Sequence, residues 1–249
     1  MDSLTIIIIV GAAAAGFVQG LSGFAFAMCA MAFWAWTVDP QLAAVVVVVC
    51  SVIGQAITII AARRGFNLKR TLPFIAGGVL GVPLGIMILP LIDQLAFRAA
   101  VGGFLALYCP LMLFYGGKVH VQKERPAVNG GFGFVGGILG GIGGFAGAVP
   151  TLWASFQAWS KDEQRAIIQW FNLSMHVVTI GGYVVRGIIT VERASWLLIA
   201  IPAMVVPSLI GAKMYTKISD AAFRRLILGI LSLTGISLLI SSVPRLLVG

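Results

Sequence analysis

Charged residues are scarce in this chain. They make up 10% of its 249 residues, whereas hydrophobic residues make up 59%, and the mean hydropathy is +1.03. A soluble globular domain carries roughly 25% charged residues, so this composition excludes that class and predicts an integral membrane protein. The 17 Lys and Arg residues outnumber the 8 Asp and Glu residues and lie in short loops between apolar stretches. That placement indicates orientation in the bilayer by cytoplasmic positive charge rather than nucleic-acid binding.

Carboxylates are absent from the interior of the apolar stretches. This absence disfavours a cation carrier, which usually meets its ion with an intramembrane carboxylate. The sequence also has no HExxH, P-loop, GxSxG or intramembrane aspartate pair. It therefore lacks the motifs expected of an intramembrane protease or an ATP-driven pump. We therefore expect no catalytic residue and no enzyme. The eight carboxylates lie at segment ends or in loops: Asp2, Asp39, Asp93, Glu124, Asp162, Glu163, Glu192 and Asp220.

Cysteine is sparse as well. Cys29, Cys50 and Cys109 are far apart, and no CxxC pair or His/Cys cluster occurs. We therefore expect the cysteines to be buried in the core, with neither a metal nor a cofactor. One alternative function depends on Cys50. A membrane subunit of a sulfur-transfer system would need a nucleophile, and Cys50 shares a helix with Ser51 and Gln55.

Apolar sequence, in contrast, is abundant. About 20 residues suffice to cross a bilayer, and the first and fifth apolar stretches are longer than that. Each of these two is predicted to hold a crossing plus a half-helix, or a re-entrant hairpin. The predicted fold class is all-α, a single polytopic membrane domain over residues 1–249 with about seven transmembrane helices and a range of six to eight. The apolar stretches are 4–36, 41–62, 72–92, 97–116, 129–159, 165–187, 195–212 and 222–248.

A glycine-rich phrase occurs in both over-long stretches. GFVQGLSGFAFA, which begins at Gly16, is echoed 117 residues later by GFVGGILGGIGGFAGAVP, which begins at Gly133. A second match follows, because Gly85 and Gly211 each precede a Phe-Arg pair by twelve residues, at an offset of 126. Two diverged copies are therefore predicted to meet near residue 128. Paired hydrophobic segments interrupted by glycine are typical of the substrate site of a transporter.

The positive charges predict how the two copies, 1–128 and 129–249, are oriented. If all eight stretches cross, ten Lys and Arg lie on one side and seven on the other. If the fifth stretch enters and returns, the count becomes thirteen against four, which the positive-inside rule favours. This predicts seven crossings and an inverted repeat, with the Arg193 loop and the C-terminus outside; six crossings remain open if the first stretch also re-enters. The loops predicted to be cytoplasmic surround three lysines: Lys69, Lys123 and Lys217.

One predicted helix carries most of the polar chemistry. Its polar residues recur at steps of four and three and so lie on one helix face. At about 1.5 Å per residue, His176 lies roughly 16 Å beyond Arg165, near the middle of the hydrocarbon. The stripe either joins helices by hydrogen bonds or lines a permeation path. We favour the path, because His176 is the one ionisable side chain placed at that depth. The stripe consists of Arg165, Gln169, Asn172, His176, Thr179 and Tyr183.

The first copy has a shorter polar row. Ser51, Gln55 and Thr58 follow the same steps of four and three, and core packing and substrate contact explain them equally well. Gln19 and Ser22 lie within the first glycine phrase, where a helix break would free backbone N–H groups. We therefore favour a site role for both.

The second glycine phrase contains a cluster that is too dense for helix packing alone. Each glycine weakens a helix by about 1 kcal/mol relative to alanine, and Pro150 follows shortly. A helix broken here would present N–H groups and a positive dipole end, which together favour an anion. The predicted substrate-binding residues are Gln19, Ser22, Gly23, Ser51, Gln55, Gly143, Gly144, Arg165, Gln169, Asn172 and His176.

These motifs resemble the sulfite exporter TauE/SafE family of bacterial membrane proteins. The resemblance rests on the duplicated phrase, on GGIGGFAGAVP from Gly140 to Pro150 and on KDEQRAIIQWFNLSMH from Lys161 to His176, and it covers essentially the whole chain. The first copy departs from the family's usual phrase, because SGFAFAMCA from Ser22 has no following proline.

The resemblance implies movement of sulfite, sulfonates or related organosulfur anions across the cytoplasmic membrane of a bacterium. The predicted function is therefore a multi-pass permease or exporter that works by alternating access, with His176 as a candidate proton carrier. Its expected partners are a small anion and the lipid bilayer, with no nucleic acid. A passive anion channel remains the alternative, since it would use the same donors.

Overall fold

The structure, a computed structural model, describes residues 2–23, 25–62, 67–115, 125–214 and 220–248. Within these residues the chain is helical, which confirms the predicted all-α class. A single 3-10 turn, Leu89–Leu91, follows the fourth helix. The α-helices are α1 (Ser3–Ser22), α2 (Phe26–Trp34), α3 (Pro40–Ala62), α4 (Leu68–Ile88), α5 (Gln94–Phe114), α6 (Pro126–Gly143), α7 (Ala148–Ser155), α8 (Lys161–Val185), α9 (Val191–Ser195), α10 (Leu197–Met214) and α11 (Asp220–Val248).

Six helical segments are long and apolar enough to cross a bilayer, which agrees with a polytopic membrane protein. The glycine-rich α6 and the polar α8 fall outside this set. Part of the charge count that predicts orientation depends on Arg63, Arg64, Lys118, Lys123 and Lys217, which lie outside the described residues. The six segments are Ser3–Ser22, Pro40–Ile60, Leu68–Leu91, Gln94–Phe114, Val191–Met214 and Arg225–Leu246.

Both over-long stretches are helices interrupted by a glycine in the left-handed conformation. Gly23 follows α1 with φ 85°, and Gly144 follows α6 with φ 76°. Any β-carbon disfavours this region, so glycine is the residue that ends a helix in this way. A second, shorter helix then begins within a few residues. The predicted helix break is therefore present in both glycine phrases.

Each short helix folds back along the long helix before it, and a tryptophan closes the pair. Trp34 of α2 donates its Nε1–H to the carbonyl of Ile7 in α1 at 3.1 Å. Trp153 of α7 donates its Nε1–H to Oδ1 of Asn129 in α6 at 2.7 Å. We name α1 with α2 hairpin 1 and α6 with α7 hairpin 2. The turns at Gly23 and Gly144 are tip 1 and tip 2.

The long helix of each hairpin packs on a helix from the other predicted copy, α1 on α10 and α6 on α4. Small residues let the backbones approach, as in other membrane helix pairs. Were a β-carbon added at these glycines, it would collide with a carbonyl oxygen. Four such contacts are Gly16 on Met204, Gly20 on Ser208, Gly133 on Phe74 and Gly137 on Gly78.

The register of the repeat differs by one helical turn from the match of the two glycine phrases. Gly211 packs on the carbonyl of Phe17, and the corresponding contact is that of Gly85 on the carbonyl of Ile138. Ile138 follows Phe17 by 121 residues, whereas the phrase match pairs Phe17 with Phe134 at an offset of 117. Glycines recur every four residues on α6, so a shift of one turn leaves the pattern nearly unchanged and the phrases alone do not distinguish the two registers.

Helices α3 and α8 pack against each other and run antiparallel. Thr58, near the C-terminal end of α3, contacts Gln169, near the N-terminal end of α8, at 3.1 Å. Val47, earlier in α3, packs on Gly144, whose carbonyl oxygen lies 3.1 Å from His176 farther along α8. Both tips therefore lie beside the α3–α8 pair.

An ion pair connects the two copies at each end of this helix pair. Arg70, in the first turn of α4, pairs with Glu163 in the first turn of α8. Arg193 of α9 lies 4.0 Å from Asp39, the residue before α3. Because α3 and α8 are antiparallel, the two pairs lie at opposite ends of the molecule.

Candidate functional site

The polar stripe of α8 faces the interior. Ser160 begins this helix by accepting a hydrogen bond from the amide of Glu163 at 3.2 Å, and the acidic first turn suits the positive end of the helix. Arg165 lies one turn before the buried part of the stripe and is half-buried. The remaining stripe residues are all buried: Gln169, Asn172, His176, Thr179 and Tyr183.

Two of these side chains hold the two tips. Gln169 donates through Nε2 to the carbonyl of Gly23 at 3.3 Å, and His176 Nε2 lies 3.1 Å from the carbonyl oxygen of Gly144. Gln169 and His176 are seven residues apart on one helix face, so the two contacts are separated by about 10 Å along the helix. Asn172 lies between them. The stripe therefore positions both helix breaks around a short polar segment.

Several buried polar atoms in this region have no hydrogen-bond partner within the described ranges. Leaving such an atom unpaired costs about 1–3 kcal/mol, and native proteins rarely do so without a reason. A polar ligand that enters between the tips would supply the missing partners. The atoms are Gln19 Nε2, Gln55 Nε2 and Oε1, Asn172 Oδ1, His176 Nδ1 and Thr179 Oγ1.

The charge of the cluster restricts its ligand. Among the described residues, the buried polar set includes His176 but no Asp, Glu, Lys or Arg. A cation would find no carboxylate here, whereas amide and imidazole donors suit an anion. The oxygen and nitrogen of a side-chain amide exchange places by a rotation, so Asn172 and Gln55 can each present a donor.

The contact of His176 determines which ring nitrogen carries a proton. A carbonyl oxygen only accepts, so Nε2 must donate to Gly144. In the neutral ring, Nδ1 is then an acceptor. Protonation converts Nδ1 into a second donor. His176 is therefore able to offer an additional hydrogen bond to an anion when it takes up a proton.

Tip 2 presents backbone donors beside Asn172. A β-carbon added at Gly147 would collide with the side-chain amide of Asn172. The amides of Ala146 and Gly147, at the positive end of α7, have no acceptor among the described residues. The neighbouring amides are satisfied by carbonyl oxygens: Gly144 by Gly140, Phe145 by Leu139 and Ala148 by Phe145.

Gln19 and Ser22 are placed at tip 1, where they bind the backbone. Gln19 accepts from the amide of Phe26 through Oε1 at 3.1 Å, while its Nε2 is unpaired within the described chain. The Ser22 hydroxyl donates to the carbonyl of Val18 at 2.8 Å and accepts from the amide of Ala25 at 3.3 Å. Gln19 thus retains a free donor.

The structure brings most of the predicted site residues together. Gln19, Gly23, Gly144, Gln169, Asn172 and His176 surround the two tips, and Ser51 and Gln55 are buried on α3. Gly143 is part of tip 2, and a β-carbon there would lie 3.0 Å from the ring of Phe145. Arg165 is the predicted residue farthest along α8 from His176.

Sequence reasoning missed Gly147 and the two tryptophans that close the hairpins. A signal for Gly147 was present. Ser51, Gln55 and Thr58 precede Asn172, His176 and Thr179 by 121 residues each, the same spacing that separates Gly23 from Gly144. Aligning the polar rows instead of the packing glycines would have placed Gly147 opposite Phe26, at the start of the short helix.

These features define a class, an α-helical multi-pass membrane protein with a buried polar site between two broken-helix hairpins, a site to which the described residues contribute no carboxylate. The model of the sulfite exporter TauE/SafE family matches residues 7–238, so the chain belongs to that family. The protein is therefore a membrane transporter of the anion-exporter type. No curated protein and no solved structure matches the chain.

Proposed function

We propose that this protein is a carrier for small sulfur-containing anions, sulfite or a sulfonate, and that it works by alternating access in the cytoplasmic membrane of a bacterium. The observation that carries the proposal is the polar segment between the tips. There Gln169 and His176, which contact the two helix breaks, lie about 10 Å apart along α8. Beside them are polar atoms without a partner in the described chain, and none of the described carboxylates is buried. Family membership supports an anion as the cargo.

A small oxyanion has several hydrogen-bond acceptors and no need for a cationic partner if enough donors converge. The donors available are the amides of Ala146 and Gly147, the side-chain amide of Asn172 and the protonated ring of His176. Each hydrogen bond to a charged group is worth about 1.5–3 kcal/mol. Because Asn172 and His176 are buried, these bonds are stronger than they would be in water. The set suits a pyramidal or tetrahedral anion.

The two copies, 1–128 and 129–249, are proposed to form an inverted repeat whose halves rock against each other. Three features support this arrangement: both copies contain a broken hairpin, α1 and α6 each pack on a helix of the other copy (α10 and α4), and α3 and α8 run antiparallel. So do the ion pairs. Arg70 pairs with Glu163, and Asp39 pairs with Arg193. The two partners of a pair must lie on the same face of the membrane, and they do so if the fifth apolar stretch returns to its starting side. Eight full crossings would instead separate the partners of each pair onto opposite faces.

The same ion pairs suit alternating access. Each ion pair joins the first copy to the second at one end of the α3–α8 helix pair. Rocking would therefore open the helix bundle at one end while the other end stays closed. His176 is proposed to couple this movement to protons, since its Nδ1 becomes a donor to the anion only when the ring is protonated.

Transport by purified protein in liposomes tests the proposal. Vesicles loaded with radiolabelled sulfite are expected to release it, and external unlabelled sulfite should accelerate release, because a carrier returns faster when loaded. A sulfonate should compete, and a carboxylate of similar size should compete less. Release that external sulfite does not accelerate would indicate a passive channel. No release of any anion in the panel would contradict the proposal.

The sulfur-transfer alternative has its own control. Cys50 is fully buried on α3, so we expect Cys50→Ala to transport sulfite like the parent protein. Loss of transport in this variant, with normal folding, would favour the alternative.

A further inference from the structure

The two tips can be compared residue by residue. Gly144 follows Gly23 by 121 residues, and α8 begins at Lys161, 121 residues after α3 begins at Pro40. The same spacing joins the polar rows on α3 and α8. Within this register, Gln19 and Ser22 of hairpin 1 correspond to Gly140 and Gly143 of hairpin 2. Likewise, the amides of Ala25 and Phe26 correspond to those of Ala146 and Gly147.

Tip 1 satisfies its own amides. Gln19 accepts from Phe26, and Ser22 accepts from Ala25. These two side chains cap the start of α2 in the way that polar side chains cap other helices. The positive end of α2 is therefore occupied by groups of the protein itself.

Tip 2 lacks both caps, because the corresponding residues, Gly140 and Gly143, have no side chains. The amides of Ala146 and Gly147 accordingly have no acceptor in the described part of the chain. A second observation points to a ligand at the same place. Asn172 is 1% exposed and lies against Gly147, yet its Oδ1 is unpaired within the described residues.

We propose that the protein binds a single anion, at tip 2 only, and that Gly140 and Gly143 determine this by leaving vacant the positions that Gln19 and Ser22 fill at tip 1. An oxygen of the anion takes the place of the missing cap and accepts from the amides of Ala146 and Gly147, with Asn172 facing it. This inference rests on the proposed function and assigns its ligand to one hairpin.

Restoring the cap tests the inference. Gly143→Ser adds a hydroxyl in the position of Ser22, whereas Gly143→Ala adds the same β-carbon without it. Both β-carbons would lie 3.0 Å from a ring carbon of Phe145 and 3.6 Å from Cε of Met31, so the contacts of the β-carbon are the same in the two variants. Gly181→Ser is the control outside the site. Gly181 lies on an exposed part of α8, and an added β-carbon would meet no neighbouring atom within 4 Å.

Sulfite binding to purified protein in lipid nanodiscs is the measurement. We expect Gly143→Ser to bind at least about tenfold more weakly than Gly143→Ala, because the hydroxyl competes for one hydrogen bond to the anion. Gly181→Ser should bind like the parent protein. Equal affinities for the serine and alanine variants would overturn the inference. Absence of sulfite and sulfonate binding in the parent protein would instead overturn the proposed function.

A second variant covers the case in which changes at Gly143 prevent folding. Asn172→Asp places a carboxylate against the open amides of tip 2, so the protein supplies its own anion. We expect sulfite binding to be lost while the melting temperature is unchanged or raised, since the carboxylate is stabilised at the start of α7. A structural asparagine would give the opposite, a lower melting temperature. Retained binding or a lower melting temperature would contradict the assignment.

Discussion

The two hairpin tips have the same backbone but different chemistry. Each follows a long helix, turns at a left-handed glycine and leads into a short helix that folds back. At tip 1, Gln19 and Ser22 bind the freed amides. At tip 2, glycines take their places. The shape of the turn is thus the same at both tips, while two backbone amides at tip 2 have no acceptor among the described residues.

The polar rows on the central helices differ in the same direction. On α3 the row is Ser51, Gln55 and Thr58, and on α8 the residues at the corresponding positions are Asn172, His176 and Thr179. The α8 row therefore has an amide in place of a hydroxyl and an ionisable ring in place of an amide, on the side of tip 2. Both differences favour the proposed anion site in the second copy, with the first copy as its structural counterpart.

The largest expected difference is in cysteine labelling, which reports the orientation of the copies: from a given side of the membrane each position should either react or not react. Cysteines introduced at Lys69, Lys123 and Lys217 should react with a membrane-impermeant maleimide only after the cells are opened, whereas a cysteine at Arg193 should react in intact cells. The three native cysteines are buried and give little background. Labelling of the Lys123 and Lys217 positions from opposite sides would break the inverted arrangement and restore eight crossings.

A substitution at the tip 2 glycine is expected to abolish transport. Gly144→Val places a β-branched residue at φ 76°, and its β-carbon would lie 2.5 Å from Cγ1 of Val47. Gly187 is a matched control, because it also has a positive φ, 66°, but has open space around it. Gly187→Val should therefore insert and transport. Sulfite efflux from liposomes gives the comparison, and efflux by Gly144→Val near the parent rate would contradict the tip assignment.

Alanine substitutions at corresponding positions compare the two polar rows. Asn172→Ala should weaken sulfite binding by at least about tenfold, because a hydrogen bond to a charged group is worth about 1.5–3 kcal/mol. Ser51→Ala, at the corresponding position of α3, should weaken it less, and so should Thr179→Ala. Calorimetric titration of the purified variants measures this. Equal losses at Asn172 and Ser51 would show that the copies contribute alike.

The smallest effect on affinity is expected at the ionisable residue. His176→Gln keeps a donor to the carbonyl of Gly144 but cannot take up a proton. At high pH, where the neutral ring of His176 offers no second donor, binding should change little, while the pH dependence of transport disappears. Efflux measured across pH 5.5 to 8 tests the coupling, with Gln55→Ala as the comparison in the first copy. An unchanged pH profile would remove His176 from the coupling step.

Much of this architecture could be predicted because it depends on local rules. Polar residues at steps of four and three lie on one face of any helix, so the spacing of the residues predicted the polar stripe of α8. A glycine-dense phrase within apolar sequence likewise predicted the breaks at Gly23 and Gly144. The one-turn error in the repeat arose because glycines recur every four residues on α6, at Gly133, Gly137 and Gly141, and the match of the two phrases aligned packing glycines instead of the breaks.

The difference between the tips could not be predicted in the same way. Whether Gln19 and Ser22 contact a substrate or cap a helix depends on where the chain turns, and a shift of one turn exchanges these roles. The contact between Gly147 and Asn172 also joins two elements that are separated by the loop before α8. Such contacts follow from the packing of hairpin 2 on α8, which no spacing within either segment specifies.

The stoichiometry of anion binding tests the central claim most directly. Equilibrium dialysis of the purified protein against radiolabelled sulfite gives the number of anions bound per chain at saturation. A site at tip 2 and a closed tip 1 predict one anion per chain in the parent protein and none in Asn172→Asp. Two equivalent anions per chain, or saturable binding that survives in Asn172→Asp, would contradict the account.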